Sequence, residues 1–132
     1  MASLPECRFC LGNGLLEDAP IYQNPAHFVL KSRGADRAHA VMIIPQRHVA
    51  DPFAMTAAEW AQMGDALQFA RSYLSAANPD GYTIGWNVGA AAGQHVFHAH
   101  LHVIARFKDT LGAGRGIHAA LGALQRETPQ KL

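Results

Sequence analysis

The sequence predicts an α+β domain: a largely antiparallel five-stranded sheet with one long helix and a short C-terminal helix. Two observations carry this expectation. Short apolar segments bounded by turn residues recur along the chain, and only one stretch shows the three-and-four spacing of a long amphipathic helix.

The elements follow in order. Ile21-Tyr22 and residues 28–32 are short and apolar and read as strand. Ala40-Val41-Met42-Ile43-Ile44 is a continuous apolar run stopped by Pro45, which suits a strand buried on both faces. Thr56 and Glu59 form a capping-box signature, after which Trp60, Met63, Leu67, Ala70 and Leu74 recur on one helical face, so the main helix ends near Ala77. Asn78-Pro79-Asp80-Gly81 is a turn, since proline presets the backbone and glycine tolerates positive φ, and residues 82–87 form the next strand. Residues 89–93 (Gly-Ala-Ala-Ala-Gly) are a loop, residues 95–105 the last strand, and residues 116–126 a weak helix.

Composition narrows the function. A chain of 132 residues, 49% hydrophobic and 16% charged, is one domain's worth and too apolar for a disordered chain. The formal net charge is +1 with no basic run, which disfavours nucleic acid as a partner. No apolar stretch approaches the roughly 18–20 residues of a membrane helix, and the first residues lack a positive region followed by a hydrophobic one, so the expected location is the cytoplasm without membrane contact. Cys7 and Cys10 form a lone Cys-x-x-Cys, which in a reducing compartment is a metal knuckle or redox pair more often than a disulfide. With no second such pair, a metal held here must recruit histidine or carboxylate.

Histidine is the unusual entry in this composition, with 8 copies. Three of them alternate in Phe97-His98-Ala99-His100-Leu101-His102-Val103, so on a strand His98, His100 and His102 share one face while Phe97, Ala99, Leu101 and Val103 share the other. Neighbouring imidazoles then lie about 7 Å apart. Histidines that merely satisfy buried hydrogen bonds fit one such residue but three poorly, because each ring has two nitrogens to partner. Spacing alone leaves open a metal site or nucleophilic catalysis on phosphorus. The approach through Asn87, Gly89, Gly93 and Gln94 favours phosphorus, because small residues let backbone N–H groups come close to an anion.

The run Gly93-Gln94-x-Val96-x-His98-x-His100-x-His102-Val103 resembles the signature of the histidine triad (HIT) superfamily. The resemblance extends to Phe28-Val29-Leu30, to Ile43-Ile44-Pro45-Gln46-Arg47-His48 and to Cys7-Arg8-Phe9-Cys10. It covers about residues 7–107 of a single domain over residues 1–132, leaving 108–132 as a divergent segment. It implies a hydrolase acting on the α-phosphate of nucleoside 5′-phosphoryl conjugates, either phosphoramidates or dinucleoside polyphosphates. His100 would be the nucleophile that becomes nucleotidylated, flanked by His98 and His102, with Gln94 orienting phosphate and water and Asn87 as a further polar group. The same resemblance implies a structural zinc on Cys7, Cys10, His48 and His98, and a homodimer.

Departures from the family pattern sharpen the expectations. His95 stands where many members carry Ser or Thr, and a histidine there can act as an auxiliary general acid. Ser32 occupies the position where relatives place Asp or Asn against the ribose, and a lone hydroxyl holds a diol more weakly than a carboxylate. Gly93, Gln94, His95 and His102 complete the expected nucleotide contacts, and Arg33 is a candidate for a second phosphate. His39 takes no role, and His27 and His118 read as ordinary surface or loop residues. The alternatives are a catalytically weak nucleotide-binding module and a nucleotidyltransferase sharing the same intermediate. The lack of a basic patch leans toward the smaller, phosphoramidate substrates.

Overall fold

The computed structural model describes residues 3–33 and 39–123. Five strands form one antiparallel sheet: β1 (Tyr22–Gln23), β2 (His27–Lys31), β3 (Ala40–Pro45), β4 (Gly81–Trp86) and β5 (Leu101–Arg106), in the order β1-β2-β3-β5-β4. The long helix α1 (Ala57–Leu74) separates β3 from β4, and a five-residue helix α2 (Ala119–Ala123) follows β5. The expected architecture is therefore present, with the part of the C-terminal helix beyond residue 123 lying outside the described residues.

The sheet has two differently used faces. On one side Val29, Val41, Ile43, Leu101, Val103 and Ala105 pack under Met63, Ala66, Ala70 and Leu74 of α1. On the other, Phe28, Leu30 and Ile44 bury against Phe9. Burial from both sides accounts for the unbroken apolar run in β3. Pro45 closes that strand opposite His27, where its missing N–H does least harm and its carbonyl stays available.

Thr56 caps α1 with the reciprocal bonds of a capping box: its hydroxyl accepts from Glu59 N–H, and the Glu59 carboxylate accepts from Thr56 N–H. The helix ends at Leu74 and tightens into a 3-10 turn over Ser75–Ala77. Its buried face is turned slightly from the one the spacing predicts. Ala66 is buried, whereas Trp60 is 47% exposed and rests edge-on against Trp86, because small alanines bring the helix close to the sheet.

The last strand is shorter than predicted. Pairing with β3 and β4 begins at Leu101, and residues 95–100 run as bends and irregular backbone instead of strand from His95. Ala99 N–H bonds to the Val49 carbonyl, tying this segment to the connection after β3, and Phe97 is left 52% exposed, outside the core face assigned to it. His27 is the other correction. It is fully buried on β2 with Val29 and carries no partner on either ring nitrogen among the described residues, so it is no surface residue. No helix among the described residues is long and apolar enough to cross a membrane.

Candidate functional site

The chain reaches the site through a braced loop. Gly89 and Gly93 both hold positive φ, at 85° and 99°, and flank a single 3-10 turn of three alanines. Gln94 is buried beneath this loop: its Oε1 accepts from Gly89 N–H at 2.8 Å, and its Nε2 donates to the carbonyls of Ala50 and Val96. Every polar atom of the amide is engaged in joining two loops, and the residue does not line the cavity described below. Gln94 thus shapes the site from beneath the loop.

Beyond this brace the imidazoles are fixed through their backbone. His100 Nδ1 lies 2.8 Å from the His98 carbonyl, so Nδ1 carries the hydrogen and donates it, which leaves Nε2 as the unprotonated nitrogen. Burial lowers the pKa of His100, the bond to the His98 carbonyl opposes this, and the nearby Arg8 charge adds to the lowering. The ring therefore stays neutral near pH 7. The His102 ring lies edge-on to it with centroids 5.0 Å apart, and Phe9 packs edge-on to His100 at 5.2 Å.

His98 is turned to a different task. Its Nε2–H donates to the Pro45 carbonyl at 2.7 Å, so its lone pair is on Nδ1, which faces Cys7 Sγ at 3.4 Å and Cys10 Sγ at 3.6 Å. His48 Nδ1 is 3.4 Å from Cys10 Sγ, and all four donor atoms lie within 4.8 Å of one another. Tetrahedral zinc with ordinary Zn–S and Zn–N bonds would place sulfur and nitrogen about 3.6 Å apart. These separations fit, and the backbone acceptor behind His98 is the support that metal-ligating histidines commonly have. The donor set can therefore hold a metal ion. Burial moves His98 down to about 4, helped by the neighbouring His48 and His100 and opposed by the Pro45 bond, and burial pushes the Cys7 thiol up.

A cavity of about 740 Å³ opens on the sheet face away from α1. His100, His102, Asn87, Gly93, His95 and Ser32 all line it, so these predicted residues converge. Arg33 also lines it but is held by Glu17 at 2.7 Å and Asp18 at 2.9 Å, away from the role of a spare phosphate contact. Sequence reasoning missed Arg8 and Phe9 as site residues. The signal was available: residues between two thiols that meet His98, the first histidine of the array, must themselves approach it. Thr83 and Ile117 complete the wall from β4 and the segment before α2, with Ile117 reaching to 3.4 Å of where a side chain on Gly85 would begin.

Sheet, helix, braced loop and donor set together define a small α+β domain built around an imidazole-lined cavity with an adjoining metal-type cluster. The HIT domain model matches residues 14–109, and the chain belongs to this family. It is 33% identical over 79 residues to an uncharacterised HIT-like protein of Mycoplasma genitalium, a match covering 58% of this chain and 55% of that protein. The match thus spans about half the length of that curated relative. Among solved structures it is similar to a zinc-bound histidine triad family protein from Mycobacterium smegmatis, with TM-score 0.70 and 26% identity over 84% of this chain and 82% of that one. It is also similar to a HIT family hydrolase from Clostridium thermocellum, with TM-score 0.65 and 26% identity over 82% and 96% of the two chains.

Proposed function

We propose that this protein is a nucleotide hydrolase that cleaves nucleoside 5′-phosphoryl conjugates at the α-phosphate through a covalent intermediate on His100. The observation that carries this reading is the tautomer of His100: a neutral ring, anchored at Nδ1, with its unprotonated Nε2 at a cavity wall large enough for a nucleotide. In the first step Nε2 bonds to phosphorus as the bond from phosphorus to the leaving oxygen or nitrogen breaks. The departing atom takes a proton, for which His95 at the cavity rim is the candidate donor. Water then attacks the nucleotidyl-histidine, the phosphorus–nitrogen bond breaks, and a nucleoside 5′-monophosphate leaves. His102 and Asn87 supply polar contacts to the phosphate, Gly93 allows its close approach, and Ser32 meets the ribose.

Cys7, Cys10, His48 and His98 would hold a zinc ion, which is also the metal in the solved Mycobacterium smegmatis relative. With four protein donors it supplies structural cross-linking and leaves no open position for substrate. The reduced thiols this requires agree with a cytoplasmic location. We further propose a homodimer, supported by the exposed Trp60, which rests on the half-buried Trp86 at the end of β4, one of the two edge strands of the sheet.

Mass spectrometry of enzyme quenched during turnover should find one nucleotidyl group on His100, and His100→Ala should abolish turnover while keeping the fold. An active His100→Ala protein overturns the nucleophile assignment. Tight nucleotide binding with no turnover of any conjugate by the wild type would favour a binding module instead.

A further inference from the structure

A second cavity of about 580 Å³ adjoins the first, and the two share Arg8, His95 and Val96 in their linings. Its remaining wall includes Glu6, Cys7, His48 and the half-exposed Phe97. A conjugate whose nucleoside occupies the first cavity and whose α-phosphate faces His100 has this second space, across the shared boundary, for its leaving group.

Arg8 is the cation at that boundary. Arg8 is solvent-exposed, but its guanidinium carbon sits 5.3 Å from the centroid of the Phe9 ring, and Phe9 in turn packs on His100, so the charge is placed beside the array. The other arginines near the site are committed: Arg33 to Glu17 and Asp18, Arg47 to Glu59, Arg106 to Thr83 and the Gly112 carbonyl. No ion pair among the described residues includes Arg8. A planar guanidinium fork with no ion-pair partner at the junction of two cavities is matched to a multiply charged phosphoryl group, which it can hold through two N–H donors.

Building on the hydrolase reading, we propose that Arg8 is a specificity-determining residue that binds the phosphoryl group next to the α-phosphate, with the second cavity receiving the rest of the leaving group. The favoured substrates are then pyrophosphate-linked conjugates, such as dinucleoside polyphosphates, over phosphoramidates. This reverses the lean that overall charge suggests, because one well-placed guanidinium does the work of a basic patch.

The experiment compares wild type, Arg8→Gln and Arg8→Lys on two conjugates of the same nucleoside, a dinucleoside triphosphate and a 5′-phosphoramidate. In parallel, calorimetry measures binding of the nucleoside diphosphate and monophosphate. Arg8→Gln should lower kcat/KM for the dinucleotide by about 10-fold or more beyond any loss on the phosphoramidate, and Arg8→Lys should recover part of that difference. Wild type should bind diphosphate more tightly than monophosphate, and Arg8→Gln should erase that difference. Metal content and melting temperature of each variant report whether the neighbouring thiols are intact. Equal losses on both conjugates, or none on either, overturn the assignment. If wild type cleaves neither conjugate but keeps an Arg8-dependent preference for diphosphate, the subsite stands and the hydrolase reading falls.

Discussion

Replacing His27 with leucine should stabilise the domain, although it removes a polar side chain from β2. The His27 ring has no exposure, and neither Nδ1 nor Nε2 has a partner among the described residues. A buried polar group without partners costs about 1–3 kcal/mol, and leucine fills a similar volume with no polar atoms. Leucine should therefore add about 1–2 kcal/mol at pH 7.5, or about 4 °C in melting temperature per kcal/mol for a domain of this size. The gain should grow in acid. Burial lowers the pKa of the folded His27, while the Glu59 charge pulls the other way, and the unfolded ring titrates near 6.5. As pH falls through 6.5 the unfolded state binds the extra proton, so wild type loses stability that the leucine variant keeps. That difference is at most about 1.4 kcal/mol at pH 5.5, and the other histidines cancel because they titrate in both proteins. Urea denaturation of both proteins at pH 7.5 and pH 5.5 measures it. A variant less stable than wild type at pH 7.5, or a difference that does not change with pH, would show that the ring is partnered and the reasoning wrong.

Two further outcomes test other parts of the structure. Cys10→Ser should abolish stoichiometric zinc on protein purified without added metal and lower the melting temperature of the zinc-loaded state, whereas chelator should leave the melting temperature of the serine variant unchanged; metal analysis with thermal scans checks both. Glu59→Gln keeps an acceptor for Thr56 N–H but removes the charge that Arg47 contacts through two nitrogens, and should cost about 1–3 kcal/mol at pH 7, a range that allows for the partial exposure of Arg47. The Arg47 hydrogen bonds hold the Glu59 carboxyl below its usual range, so the pair's contribution is present above the unfolded pKa of about 4.3 and disappears as pH falls through the folded one. Acid titration of stability should show the two proteins converging below that window.

How far these features are legible in the sequence depends on whether their causes are local. The start of α1 is legible because Thr56 and Glu59 satisfy each other's backbone within one turn. The end of β3 is legible because proline cannot continue a ladder. The rotation of α1 that exposes Trp60 is not, since it follows from how closely Ala66 and Ala70 approach the sheet. His27 lies outside every motif, and only its pairing opposite Pro45 shows that it must point under the helix. In the site, the convergence of His100, His102, Asn87 and Ser32 is legible from the alternation and the resemblance. The engagement of Gln94 is not, because its partners Ala50 and Val96 come from two separate loops. The approach of Arg8 to the cavity is legible only through the Cys7 and Cys10 that bracket it, because it depends on the N-terminal segment packing against Phe28, Leu30 and Ile44.

The sheet that carries the site also acts as a partition. On its helix side, Val29, Val41, Ile43 and Val103 belong to the larger core beneath α1; on its other side, Thr83, His102 and Ile104 line the cavity. Neighbouring residues on one strand therefore answer to separate demands, one set to packing and the other to ligand. Changes more than one side-chain layer apart, with no shared partner, tend to combine additively. Substitutions under α1 should consequently move melting temperature while leaving KM in place, and substitutions facing the cavity should do the reverse. The two properties of this small domain can then be varied one at a time, and a substitution on one strand face that shifts both would mark where the partition leaks.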